Sequence, residues 1–446
     1  MTGIFRSRLW APIMLAGLAI LAYLPALSLP FIADDYVQIR LARDYGPVSG
    51  WAALALDPLY RCRATSLVLT YWTDRVFGLA PLAYNCSSLL LHVFNTWLVF
   101  ALGAWRVIGW RVSAVAAAFF AVYEGHQEAV TWYAAVPDLL VFFFSLLCLI
   151  FWILWLQSSA VRFGRYAASI VCFFLALASK ESAVAVVAIL PLALWFERNQ
   201  WRRRLLAVVP FAGLAVIYTA LVFAARSNHL HFQVGAFSLQ APFLIVLVRS
   251  TWRLFWFWGL LSLLALAILR VWCWRPLVVL AFAWIGITFL PYSFLTYMPR
   301  VPSRHTYFAS AGLALVVASG FLVFRDRFHR SQPWAPVAVA ALMLVHNCGY
   351  LWTKKQAQYL ERAAPTEALI EFVRKVDGPV YLHCFPYSIW VAQWAVEVRL
   401  NKEVYPIMPG RGMAEIENKS NVFCWGHRGD PSLVNGDPNI SLRVMN

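Results

Sequence analysis

Long apolar segments recur along most of the chain, each close to the length that an α-helix needs to cross a lipid bilayer. They lack the strict alternation of apolar and polar residues that is typical of strands in a membrane barrel. Inside a bilayer the backbone must satisfy its own hydrogen bonds, so the alternative is a set of helices. The pattern predicts about eleven transmembrane helices, over residues 10–30, 83–104, 112–123, 137–157, 166–179, 182–197, 205–224, 246–269, 276–296, 306–324 and 334–352.

The pattern changes after residue 352. The stretch "KKQAQYLERAAPTEALIEFVRKVDG" has helical spacing, "PVYLHC" predicts a strand, and "PYSIWVAQWAVEVRL" predicts another helix. We therefore expect an α-helical polytopic membrane domain over residues 1–352. A small α/β domain outside the cytoplasm is expected over residues 353–446, large enough for a modest core of its own.

Composition supports a membrane protein, because 61% of the 446 residues are hydrophobic and only 13% are charged. The net charge of +16 comes mainly from arginines that lie singly or in small groups at the ends of the predicted helices. They fall on alternate sides of the predicted topology, so the positive-inside rule places the N-terminus in the cytoplasm. A nucleic-acid partner is not expected, because the cations form no long basic stripe.

Most of the remaining polar residues fall in loops on the opposite, outward side. Ionisable groups at a membrane are costly unless they face a cavity and function there, so this clustering predicts a functional site. The outward loops contain Asp34, Asp35, Glu124, His126, Glu128, Asp138, Lys180, Glu181, Arg226, His229, His231, Arg300, Arg304 and His305.

The acidic pair Asp34–Asp35 follows the first predicted span directly, in "FIADDYVQIR". Partial burial and the neighbouring like charge would raise a carboxyl pKa towards working pH, which suits a general base. The alternative interpretation is that the pair caps a helix with solvated charges. The residues alone leave both interpretations open.

The second acidic group, "EGHQEAV", spaces Glu124, His126 and Glu128 two residues apart. This trio could bind a divalent cation or orient a substrate, although helix capping and local hydrogen bonds are the favoured explanation for such a motif by itself. A metal cofactor is therefore an option and not a requirement. The cysteines form no CxxC pair, and Cys384 and Cys424 could pair in an oxidising compartment.

Cations accompany these acids on the same side of the membrane. Lys180, Arg300 and Arg304 could hold a phosphate at the bilayer surface, where a lipid phosphate is the natural ligand. Contact with lipid headgroups is the alternative role, and for Arg300 by itself it is the better one.

Five stretches in order resemble the GT-C superfamily of polytopic glycosyltransferases: "FIADDYVQI", "LAYNCSSLLLHVFNTWLVFAL", "FFAVYEGHQEAVTWYAAVPDLL", "LALASKESAVAVVAILPLAL" and "VPSRHTYFASAGLALVVA". The resemblance covers about residues 10–325. It is nearest to the protein O-mannosyltransferase branches, especially the O-mannosyltransferases that carry tetratricopeptide repeats, although no such repeats follow the membrane part here.

The resemblance implies an inverting transfer of a sugar, with mannose as one candidate, from a polyisoprenyl-phosphate donor to an acceptor hydroxyl outside the cytoplasm. Asp34 and Asp35 then match the first-loop acidic motif, and Asp34, the first acid of that motif, is favoured as the base. His126, Glu128, Ala129 and Val130 match a His-Pro-x-His-Thr-Glu-Ala-Val block, from which the chain departs at Glu124. Lys180 and Glu181 match an "SKE" block. Arg304 matches an arginine before an aromatic-rich helix, and His305 stands where tyrosine is usual.

The acceptor, the compartment and the class of protein stay open at this stage. The acceptor could be a protein, a lipid-linked glycan or another lipid. A bacterial inner membrane, with the site and the C-terminus in the periplasm, is expected, and the endoplasmic reticulum would give the same topology. A transporter or flippase would also keep charges in a cavity, but usually near the bilayer midplane. An inactive scaffold would tolerate loss of every carboxylate named above.

Overall fold

The computed structural model describes residues 2–158, 163–197, 204–225, 238–269, 275–295, 301–406, 421–425 and 431–433. Arg226, His229, His231 and Arg300 lie outside the described residues. The membrane part consists of helices α1 Thr2–Tyr23, α2 Asp34–Tyr45, α3 Gly50–Leu56, α4 Pro58–Phe77, α5 Pro81–Ala101, α6 Gly109–Val122, α7 Gln127–Thr131, α8 Val136–Leu156, α9 Phe163–Leu177, α10 Val186–Glu197, α11 Val209–Ala224, α12 Phe243–Phe255, α13 Trp258–Ile268, α14 Arg275–Phe289, α15 Ser310–Phe328 and α16 Trp334–Tyr350.

Six of the described helical segments are long and apolar enough to cross a membrane: Trp10–Ser28, Pro81–Ala104, Tyr133–Leu156, Leu206–Ala224, Arg275–Phe294 and Trp334–Lys375. A seventh is added if α12 and α13, which meet at 80°, form one broken span. The predicted count of eleven is therefore not confirmed. Apolar helices such as α6 and α9 have 14 and 15 residues. At 1.5 Å per residue they are shorter than the hydrocarbon core of a bilayer.

The centre of the bundle is formed by α8 and α15, most of whose residues are buried. Glycines on α15 allow close packing: a Cβ at Gly320 would lie 2.7 Å from the Ser262 Cα of α13, and one at Gly312 would lie 2.7 Å from the Ala281 oxygen of α14. Small residues at helix contacts are the usual way for membrane helices to approach each other closely.

The first loop after α1 turns back on itself before α2. A 3₁₀ helix covers Leu24–Ser28, and Ala33 then takes a positive φ of 43°. A non-glycine residue in this left-handed region is strained, and such strain persists only where surrounding contacts hold it. The turn starts α2 at Asp34.

The C-terminal part begins on a helix that is continuous with the membrane part. A π-turn over Leu351–Lys355 joins α16 to α17 (Gln356–Lys375), so Trp334–Lys375 forms one helical segment of 42 residues. The division expected at residue 352 falls inside this segment. The chain then adds α18 Ile389–Leu400 and strands β1 Val380–Cys384, β2 Val404–Pro406, β3 Val422–Trp425 and β4 Pro431–Leu433.

The four strands form one sheet in the order β2-β1-β3-β4, with β1 parallel to β2 and β3 and with β4 antiparallel to β3. Both helices contribute to its core through residues such as Leu369 and Val396. A disulfide joins Cys384 to Cys424, so the pairing that the sequence left open is formed.

Candidate active site

The Asp35 carboxylate is hydrogen-bonded to the backbone of two loops. Its carboxylate accepts a hydrogen bond from the Ile32 N–H at 2.7 Å and another from the Ala134 N–H at 2.7 Å, and the residue is 2% exposed. Burial raises the pKa of Asp35 to about 7, although both N–H donors oppose the rise. Asp35 thus ties the first loop to the segment that follows α7.

Asp34 has a different environment although it is the adjacent residue. It is only partly buried, and within the described residues its carboxylate takes part in no hydrogen bond or ion pair. Burial raises the pKa of Asp34, and the charges of Arg304 and Arg362 partly offset that rise. The carboxylate is therefore available to a ligand and lies within the field of two guanidinium groups.

Trp132 brings those two guanidinium groups next to the acidic turn. Its indole N–H donates to the Ile32 carbonyl at 3.2 Å. The Arg304 and Arg362 Cζ atoms lie 4.8 and 4.7 Å from its ring centroid. Arginines at such distances interact favourably with an aromatic face.

Arg304 is held in place by Glu128. The Arg304 guanidinium donates to Oε1 of Glu128 at 3.2 Å, while the Arg304 N–H and the Ser303 hydroxyl donate to Oε2 at 3.2 and 3.0 Å. Burial by itself would raise the pKa of Glu128, but the Arg304 charge and these hydrogen bonds outweigh it and lower the pKa. Two predicted site residues from distant parts of the sequence are thus in direct contact.

Lys180 and Asp138 form a buried ion pair with an Nζ–Oδ1 distance of 2.6 Å. Burial lowers the pKa of Lys180 to about 8, although the Asp138 carboxylate opposes this, and the charges of Arg63 and Arg304 lower it further. The Lys180 ammonium lies 5.5 Å from the Tyr292 ring centroid, and His305 stacks on the same ring at 4.5 Å. Tyr292 therefore lies between Lys180 and the segment that carries Arg304.

Glu181 pairs with Arg63, a residue that the sequence analysis did not select. The Arg63 guanidinium donates to the Glu181 carboxylate at 2.9 Å, and both side chains are partly exposed. Because the charges of Arg63 and Arg304 both lower the pKa of Lys180, we treat the three residues as one cationic group, the cation cluster. Each member carries its own carboxylate partner, Glu181, Asp138 or Glu128.

The trio Glu124, His126 and Glu128 does not assemble into a metal site. His126 is fully buried, with Nε2 2.6 Å from the Ser310 hydroxyl and its ring 4.3 Å from that of Phe120. The Glu124 carboxyl has its pKa raised by burial, against the charges of Arg253 and Lys355. Within the described residues there is no group of three His, Cys, Asp or Glu side chains that could hold a metal ion. Because Glu124–His126 forms a short 3₁₀ turn, the side chains of the trio contact different neighbours.

Arg362 and Tyr387 are further residues at this site that the sequence analysis missed. The Tyr387 hydroxyl donates to the Arg362 carbonyl at 2.6 Å, and both residues lie within the electrostatic reach of Asp34. They come from α17 and from the loop before α18, far from Asp34 in sequence. An arginine on an amphipathic helix carries no local signal of such a role.

Comparison with known proteins identifies the fold. No family model matches the chain, and no curated protein matches it. Among solved structures, ArnT from Cupriavidus metallidurans bound to undecaprenyl phosphate has a TM-score of 0.56 at 15% identity, with 89% of this chain and 86% of that chain covered. Apo ArnT gives 0.54 at 14% identity, over 92% and 87% of the two chains.

An archaeal oligosaccharyltransferase shares the fold as well. AglB from Archaeoglobus fulgidus, in complex with an inhibitory peptide and a dolichol-phosphate, has a TM-score of 0.54 at 12% identity, and this chain spans 64% of its length. These likenesses show that the chain shares the membrane fold of ArnT and AglB. They do not support the nearer resemblance to the O-mannosyltransferase branches that the sequence suggested.

Proposed function

We propose that the chain is an inverting glycosyltransferase that moves a sugar from a polyprenyl-phosphate donor to an acceptor hydroxyl outside the cytoplasm. The fold neighbours support this donor class, since the two ligand-bound structures contain undecaprenyl phosphate and dolichol-phosphate. The O-mannosyltransferase resemblance makes mannose the first sugar to test.

One observation carries the proposal. Asp34 is a partly exposed carboxylate without a hydrogen-bond partner among the described residues, and it lies in the field of Arg304, a member of the cation cluster. A general base and a phosphate-binding group in one place are what this transfer requires.

In the proposed reaction the acceptor oxygen attacks the anomeric carbon from the face opposite the phosphate. The new C–O bond forms as the bond from the anomeric carbon to the phosphate oxygen breaks, so the configuration inverts. Asp34 takes the proton of the acceptor hydroxyl, and its raised pKa makes the carboxylate a stronger base than a solvated aspartate. The lipid phosphate leaves with both electrons of the broken bond.

The cation cluster would stabilise the negative charge that develops on the departing phosphate. Lys180 has a pKa of about 8, so it is mostly charged at pH 7. Arg63 and Arg304 add guanidinium donors, which suit phosphate oxygens. Loss of one such group should raise the barrier by about 3 kcal/mol. Asp35 has a positioning role in this scheme, because its oxygens are occupied by the Ile32 and Ala134 N–H groups.

The test is turnover of a panel of undecaprenyl-phosphate sugars by the purified protein, followed by release of undecaprenyl phosphate. We expect Asp34→Asn to lower turnover by about 100-fold or more, because the base is lost while size and shape are kept. The matched control is Asp44→Asn, which changes an exposed acid at the other end of α2. Wild-type turnover in a folded Asp34→Asn protein would refute the assignment.

We further propose that the active side faces the periplasm of a bacterial inner membrane. The arrangement of arginines at helix ends supports this orientation through the positive-inside rule. The Cys384–Cys424 disulfide fits an oxidising compartment. The test is to label a His383→Cys variant with a membrane-impermeant maleimide in spheroplasts, since residue 383 is exposed. We expect labelling in intact spheroplasts. Protection of that cysteine until the membrane is lysed would contradict the orientation.

A further inference from the structure

Helix α17 reaches the candidate active site through the π-turn that joins it to α16. This turn covers Leu351–Lys355. It is held against α1, because the Trp352 indole N–H donates to the carbonyls of Leu21 and Ala22, both at 3.1 Å. A π-turn holds about one residue more than an α-helical turn, so it rotates the helix that follows by about 100°. The side of α17 that faces the site therefore depends on this turn, and such turns often occur at functional sites.

Arg362 is the cation that α17 brings to the acidic turn. Its Cζ lies 4.7 Å from the Trp132 ring centroid and 5.3 Å from that of Tyr359. The Trp132 indole N–H in turn donates to the carbonyl of Ile32, two residues before Asp34. Aromatic faces interact favourably with a guanidinium, so these rings hold the Arg362 charge beside the turn.

Three carboxyl groups lie within the field of Arg362, and they belong to Asp34, Asp35 and Glu128. The Asp35 oxygens accept from two backbone N–H groups, and the Glu128 oxygens accept from Arg304. The Asp34 carboxylate has no such hydrogen bond among the described residues. The Arg362 charge should therefore matter most for Asp34, because hydrogen bonds already stabilise the other two carboxylates.

The charged and titratable groups around Asp34 come from four elements. They are Asp35 on α2, Arg304 on Ser303–Thr306, Arg362 on α17 and Tyr387 in the loop before α18. Burial raises the pKa of Asp34, and the two guanidinium groups lower it. In the proposed reaction Arg304 also faces the donor phosphate, whose negative charge would offset that of Arg304. Arg362 is then the cation that continues to favour a charged Asp34.

We infer that Arg362 is a positioning residue whose guanidinium keeps the Asp34 carboxylate ionised, and so able to accept a proton, while a donor phosphate is bound. This inference rests on the proposed function and extends it, because a helix of the C-terminal part then supplies one charge of the active site. Burial makes the carboxylate a stronger base, and Arg362 keeps it in the charged form that a base needs.

The first measurement follows the protonation of Asp34 without any use of turnover. A carbodiimide reacts with a protonated carboxyl group, so labelling of Asp34 in the full-length protein by dicyclohexylcarbodiimide should fall as pH rises through its pKa. Peptide mass spectrometry gives the midpoint of this fall. We expect the midpoint to move to higher pH by about half a unit to one unit in Arg362→Gln, because a cation that favours the charged form is lost.

Two further variants test whether charge is the cause. Arg362→Lys keeps the charge and should restore most of the wild-type midpoint. Arg374→Gln is the matched control, because it removes an exposed cation at the far end of α17, and its midpoint should equal that of the wild type. An unchanged midpoint in an Arg362→Gln protein that melts like the wild type would overturn the inference, whatever its turnover.

The second measurement is the pH dependence of kcat/KM for transfer from an undecaprenyl-phosphate sugar. The acid limb of this profile should move in Arg362→Gln by the same amount and in the same direction as the labelling midpoint. A shifted midpoint with an unshifted acid limb would support the action of Arg362 on Asp34. It would count against Asp34 as the base, and thus against the proposed function alone.

Discussion

The two adjacent carboxylates at the start of α2 have different hydrogen-bond environments, and the backbone turn before them accounts for the difference. The turn at Ala33 directs Asp35 towards two N–H groups, so its oxygens are used for structure. Asp34 starts the helix without such partners and stays within reach of Arg304 and Arg362. A carboxylate without a hydrogen-bond partner among the described residues is therefore followed directly by one that fixes the loop.

Asp35 should make stability depend on pH. Its pKa is about 7 in the folded protein, against about 4 for an unperturbed aspartate. Folding therefore takes up a proton between these values, so the free energy of unfolding should fall as pH rises from about 4 to about 7. Asp35→Asn does not titrate in this range, and we expect its melting temperature in detergent to fall less between pH 5 and pH 8 than that of the wild type.

Asp44→Asn is the control for this measurement, because it removes an exposed carboxyl at the other end of α2. Its melting temperatures should follow those of the wild type across this range. Parallel melting curves for the wild type and Asp35→Asn across the whole pH range would show that the Asp35 carboxyl titrates normally.

Lys180 combines a structural and a proposed phosphate-binding role, and the two can be separated. Lys180→Met leaves the buried Asp138 carboxylate without its counter-charge, which should cost about 3 to 5 kcal/mol of stability. Adding Asp138→Asn removes the unpaired charge and should restore most of the melting temperature. Turnover of the donor should stay low in both variants, because the cation is still missing. Normal turnover in the double variant would limit Lys180 to a structural role.

At the scale of elements, α15 links the packing of the bundle to the geometry of the site. The segment Ser303–Thr306, which carries Arg304, ends shortly before α15 begins at Ser310. Its glycines bring α13 and α14 to close contact, so a shift of α15 would also move Arg304 relative to Glu128. Packing inside the bundle and placement of the cation cluster are therefore not independent.

We expect Gly320→Ala to destabilise the protein, because the new Cβ would lie 2.7 Å from the Ser262 backbone and the helices would have to separate. Overpacking of this kind usually costs about 1 to 3 kcal/mol. Gly286→Ala on α14 is the matched control, since a Cβ there meets nothing within 4 Å. Equal melting temperatures for the two variants would mean that α13 and α15 can move apart without cost.

Across the whole protein, local sequence patterns predicted the apolar helices and several residues of the candidate site, but not the contacts between distant elements. Apolar segments located the helices, but their apolar character could not separate helices long enough to cross a membrane from shorter apolar helices such as α9. Short motifs pointed to Asp34, Lys180 and Arg304. The roles of Arg63 and Arg362 depend on contacts with Glu181 and Trp132, which exist only once distant elements have packed.

The α/β part is attached to the site through α2 as well as through α17. The Tyr36 hydroxyl, one residue after Asp35, donates to Glu367 at 2.9 Å and accepts from the Arg399 guanidinium at 3.2 Å. Arg399 also donates to the Leu79 carbonyl at 3.3 Å. A contact beside the acidic turn therefore holds α18, and with it the sheet, against the membrane part.

Arg399→Ala should loosen this attachment and reduce turnover at a distance from the reacting atoms. The variant loses both hydrogen bonds and the contact with the Phe31 ring, 5.3 Å from the guanidinium, so α2 and the Arg362 side chain should be less well fixed. We expect turnover to fall by about tenfold, with faster tryptic cleavage after residue 375 and faster hydrogen exchange over residues 34–45.

Arg374→Ala, which removes only an exposed pair with Glu371, should leave all three unchanged. The Arg399→Ala protein could be cleaved by trypsin and exchange hydrogen faster while it keeps full turnover. In that case the α/β part does not position the proposed base, and Asp34 is held by the membrane helices alone.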